Sequence, residues 1–64
     1  MVEKAELVAV YSALIKIAEK KKDCSVSEIS ERANKSKQKT EIALDELEHM
    51  GFAEVKDGYW HPKV

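Results

Sequence analysis

The chain has 64 residues, of which 44% are hydrophobic and 36% charged, with two glycines and one proline. A chain of this length makes one domain, buries only about 60% of the surface its unfolded form exposes and can seldom wall a substrate cavity, so an enzyme is not expected. Eleven Lys plus Arg against twelve Asp plus Glu leave a net charge of -1, so any attraction to a polyanion must come from local clustering.

The first element expected is a long helix over about residues 2–22. Leu7, Val10, Tyr11, Leu14, Ile17 and Ala18 recur at the helical period, with Ser12, Lys16, Glu19 and Lys20 roughly opposite. Lys20, Lys21 and Lys22 close it, where positive charge complements the negative end of the helix dipole. Glu3, Lys4, Glu6, Lys16, Glu19 and Lys20 break every apolar run of this segment, so neither a signal-peptide core nor a spanning helix is expected. Val8 and Ile15 widen the apolar arc to about half the circumference, beyond what one neighbour requires. They are either extra core or, together with Tyr11, a contact for a second copy or another partner.

Cys24 is the single cysteine, which excludes an internal disulfide and suits a reducing cytoplasm. Ser25-Val26-Ser27-Glu28 then has the form of a capping box and opens a second helix over about residues 26–33. Val26, Ile29 and Ala33 face inward, and Asn34 ends the helix, being tolerant of left-handed geometry. Ser36 is the expected cap of a third helix over about residues 37–50, with Thr40, Ala43, Leu44, Leu47 and Met50 as its apolar face and Gly51 as its stop. Two helices joined by a short polar turn and preceded by a longer helix have the order of a helix-turn-helix.

From about residue 52 to 63 the chain alternates around Asp57-Gly58, the strongest short-range signal for a two-residue hairpin turn. That register sets Lys56 against Tyr59, Val55 against Trp60 and Glu54 against His61. Ala53, Val55 and Trp60 then cover the helices, and Lys56, Tyr59 and His61 face solvent. The expected fold is α+β and mostly helical: three helices and a C-terminal two-stranded hairpin in one domain spanning residues 1–64.

The stretches Ser25-Val26-Ser27-Glu28-Ile29, Leu44-Asp45-Glu46-Leu47-Glu48-His49-Met50-Gly51-Phe52 and Asp57-Gly58-Tyr59-Trp60 resemble the winged helix-turn-helix family over about residues 5 to 62. The resemblance implies a small transcription regulator of archaeal, bacterial or viral type that sets its third helix in the major groove and its hairpin, or wing, on the backbone. Similar winged helices also serve as protein-contact modules, among them the C-terminal domain of archaeal minichromosome-maintenance helicases and subunits of transcription machinery. A specialised resemblance, to winged helices that bind Z-form nucleic acid, fails where Glu41 and Asp45 stand at positions that need Asn and Tyr.

Between Arg32 and Thr40 lie four positive charges and no acid, opposing the global balance. Lys35, Ser36, Lys37, Gln38, Lys39 and Thr40 could grip phosphate at the helix N-terminus, Gln38 could pair with adenine and Lys39 with guanine. Ile42 is an exposed apolar residue suited to a thymine methyl or to a protein, while Asp45, Glu46 and His49 on the same stripe count against DNA. Lys56, Tyr59, His61 and Lys63 form a mildly basic hairpin edge, and Trp60 is expected inside. Cys24, His49 and His61 have no metal-ligand spacing, and two glycines make no phosphate loop, so no metal or cofactor is expected. The partners expected are double-stranded DNA and a second copy through the first helix, with no membrane and no small-molecule substrate, in a cytoplasmic, nucleoid-associated setting. The alternative is a protein-docking module of a replication or transcription assembly. An RNA binder has less support, since no aromatic platform is exposed.

Overall fold

A computed structural model describes residues 2–21 and 23–63. Three helices, α1 (Lys4–Ala18), α2 (Val26–Ala33) and α3 (Lys37–His49), precede two strands, β1 (Ala53–Lys56) and β2 (Tyr59–Pro62). The strands pair antiparallel in the expected register, Lys56 with Tyr59, Val55 with Trp60 and Glu54 with His61. Asp57 and Gly58 both take positive φ, at 53° and 83°, the geometry a two-residue hairpin turn requires. The chain is therefore α+β and mostly helical.

The helix ends follow from local chemistry. Ser25 caps α2 by accepting the Glu28 amide at 3.3 Å, and Ser36 caps α3 by accepting the Lys39 amide at 3.2 Å. Asn34 closes α2 in left-handed conformation, its amide reaching the Glu31 carbonyl and the Lys35 amide the Ser30 carbonyl. α3 stops the same way: Gly51, at φ 85°, donates to the Glu48 carbonyl and Phe52 to the Leu47 carbonyl. This paired arrangement satisfies two of the orphan carbonyls at each helix end.

α1 is shorter than the period suggested. It starts at Lys4 and ends at Ala18 rather than spanning 2–22, and Lys20 and Lys21 both donate backbone bonds to the Ile17 carbonyl in a closing turn. Lys22 lies outside the described residues. Further on, Cys24 forms a bridge with β2, where the Trp60 amide donates to the Cys24 carbonyl at 2.8 Å.

Val10, Ala13 and Leu14 of α1, Ile29 of α2, and Ala43, Leu44 and Leu47 of α3 build the core with Cys24, Ala53 and Trp60. Leu7, Tyr11, Ile17, Ala18, Val26 and Ala33 pack around it half-buried. Leu14, Ile29 and Leu44 are fully enclosed, and truncating any one to Ala costs about 2–5 kcal/mol. Two residues expected inward face out. Met50, the C-cap of α3, is 47% exposed on the wall of an open apolar groove that it shares with Leu7 and Tyr11 of α1, and Val55 shares the inner side of the hairpin with Trp60 but is 43% exposed. Tyr11 and Phe52 meet edge to face, with centroids 5.9 Å apart, which ties α1 to the start of the hairpin.

Candidate nucleic-acid interface

The turn from α2 to α3 is short because Asn34 reverses the chain at once and Ser36 already caps the next helix. It presents Lys35, Ser36, Lys37, Gln38 and Lys39 together, all exposed. Ser36 takes two of the first free amides of α3, Lys39 through its hydroxyl and Thr40 through its carbonyl at 2.9 Å. The amides of Lys37 and Gln38 remain open to a ligand at the positive end of the helix dipole, and the first turn of α3 contains no acid. One anion could there receive backbone donors, the Gln38 amide and two ammonium groups.

Thr40 is a correction. Its side chain is 0% exposed and faces the core, so it cannot contact a phosphate, and its Oγ1 has no hydrogen-bond partner among the described residues. Periodicity had placed it on the apolar face, and packing follows the periodicity. Arg32 is also drawn away from the turn. It lines shallow grooves on the seam between α1 and α2, one with Ile17, Glu28 and Glu31 and the other with Ser12, Lys16 and Ala33.

Ile42 is exposed on α3, and with Lys39 it borders a shallow groove shared with Val2 and Glu6. Glu6 thus adds a carboxylate beside Lys39 that the sequence reading missed, since only the packing of α1 on α3 brings the two together. Glu41, Asp45, Glu46 and Glu48 are exposed along the rest of α3, so its basic character is confined to the first turn. On the hairpin, Lys56 and Tyr59 are exposed and His61 is half-buried, all on the face opposite Trp60, and Glu54 pairs with His61 on that same face.

Behind this surface one ion pair fixes the loop between α1 and α2: Lys21 Nζ lies 2.8 Å from Oε2 of Glu28. The ammonium holds the Glu28 carboxyl below its ordinary range, helped by the backbone and hydroxyl of Ser25, and Glu28 in turn raises the Lys21 ammonium. Burial pushes the Cys24 thiol up, and the Glu28 carboxylate adds to the effect. Among the described residues, no group of three His, Cys, Asp or Glu side chains is placed to hold a metal. No helix among them is long and apolar enough to cross a membrane. Comparison with family models, with curated proteins and with solved structures gives no significant match for this chain.

Proposed function

We propose that this chain is a winged helix-turn-helix that binds double-stranded DNA as a transcription regulator, with α3 as the recognition helix and the β1–β2 hairpin as the wing. The observation that supports the reading is the exposed cluster of Lys35, Lys37, Gln38 and Lys39 around the open amides of the α3 N-terminus, whose first turn contains no acid, although Glu6 of α1 lies beside Lys39. Phosphate contacts there would set the register, and Gln38, Lys39 and Ile42 would meet base edges. Lys56, Tyr59 and His61 would lie along the backbone. A protein of net charge -1 gains no long-range steering, so one copy should bind weakly, through about four to six phosphate contacts.

A second reading is favoured by the rest of α3, where exposed Ile42 sits among Glu41, Asp45 and Glu46. An apolar residue with carboxylates over the turn that follows it suits a protein partner with a basic rim better than a groove lined by phosphates. An amide chemical-shift titration with random-sequence duplex at about 50 mM and about 200 mM salt separates the two. Shifts over 35–42 and 56–61 that recover at the higher salt support DNA binding. A spectrum unmoved at the lower salt refutes it and leaves the docking module.

A further inference from the structure

The geometry points to a second site outside the DNA reading: α1 pairs with α1 of a second copy, antiparallel about a two-fold axis. Val8 then meets the partner copy's Ile15, Tyr11 meets its Ser12, and Lys4 meets its Glu19.

Lys4, Val8, Ile15 and Glu19 fall within an arc of about 60° on a helix of 3.6 residues per turn, with Tyr11 at its edge. The spacing of Lys4, Val8, Tyr11 and Ile15 alternates four and three residues, the seam along which two helices interlock. Val8 is the most exposed large apolar residue described, at 59%, and Ile15 is half-buried yet stands outside the core and its packing shell. Beside Val8 runs a groove of about 190 Å3 walled by Leu7, Tyr11, Leu47, Met50 and Phe52. The pairing brings the partner copy's Ile15 to this groove.

Charge selects a second copy as the occupant. Lys4 stands at the positive end of its own helix dipole and Glu19 at the negative end, so each opposes the helix that carries it. Among the described residues the one ion pair is Lys21 with Glu28, so none of them matches the charge of Lys4 or of Glu19. An antiparallel neighbour reverses both relations, setting Lys4 beside a helix C-terminus and Glu19 beside a helix N-terminus, each against an opposite charge. Because a two-fold axis repeats the contact, a single stripe supplies both halves of the interface.

The test is sedimentation equilibrium of the whole chain from about 10 µM to about 1 mM, as wild type, Lys4→Glu, Glu19→Lys and the double variant. Both side chains are exposed, so the fold should survive, and circular dichroism checks it. Each single reversal should weaken the dimer at least about tenfold, and the double variant should restore it. A wild type monomeric to about 1 mM overturns the proposal, as does a dimer indifferent to the single reversals or one the double variant fails to restore.

Discussion

Lys21 Nζ and Glu28 Oε2, 2.8 Å apart, join the end of α1 to the first turn of α2 across the loop that carries Cys24. Folding lowers the carboxyl below its ordinary 4.5 and raises the ammonium above 10.5. A lowered carboxyl stabilises fully above 4.5 and loses its effect as pH falls through the folded value, while a raised ammonium stabilises fully below 10.5 and loses its effect as pH rises through its own. Glu28→Gln should therefore lower the urea midpoint near neutrality and leave it unchanged near about pH 2, where the protonated Glu28 carboxyl is as uncharged as the Gln amide that replaces it. The gap should be small, as for any exposed pair, and should shrink in salt. A gap of the same size at both pH values contradicts the assignment.

Trp60 and its neighbour Tyr59 point to opposite faces of β2, and one is buried while the other is open. Trp60→Ala should cost about 3–5 kcal/mol in urea unfolding, because the indole fills the space between the hairpin and the helices. Tyr59→Ala should stay within about 0.5 kcal/mol. Equal effects at the two positions would mean that the hairpin does not close the core.

The unpaired hydroxyl of Thr40 makes a different kind of site. Thr40→Val keeps the shape, removes a buried polar atom without a partner, and should raise stability by about 1–3 kcal/mol. On the proposed function the same variant leaves DNA affinity unchanged, since Thr40 faces the core. A stability loss would show that the hydroxyl finds a partner in solution.

Lys37→Gln and Arg32→Gln remove equal charge at places the fold treats differently. On the proposed function, filter binding or fluorescence anisotropy of a labelled duplex should give a log-log salt slope of about -4 to -5 for the wild type. Lys37→Gln should reduce its magnitude by about one, and Arg32→Gln should leave it unchanged. A loss at Arg32 equal to that at Lys37 would move the contact surface to the seam of α1 and α2.

The caps of α2 and α3 and the hairpin turn were the most readable features of the sequence, because their signals are local. Ser25 with Glu28, Asn34, Ser36, Gly51 and Asp57-Gly58 each act within a few residues, and each behaves as its chemistry dictates. What depended on distant packing was hidden. The early stop of α1 and the bridge from Cys24 to Trp60 are both invisible in the local sequence, since the helical period runs on past Ala18 and a lone cysteine gives no sign of its pairing. Met50 and Val55 have the right period but stay exposed, and period carries no information about how fully a neighbour covers a side chain. In the candidate site, Lys35 to Lys39 were legible as a cluster. Thr40 was included by proximity in the sequence and excluded by its facing, and Glu6 entered only through the contact of α1 with α3.

The bridge from Cys24 to Trp60 also gives the molecule an internal clock. The chain's single thiol is fully enclosed, and burial pushes its pKa up, so an alkylating reagent can reach it only when the structure opens around Cys24. The rate of modification therefore measures how often that opening occurs. On the proposed function, its dependence on added duplex would report whether occupancy of the α3 N-terminus holds the structure shut around Cys24.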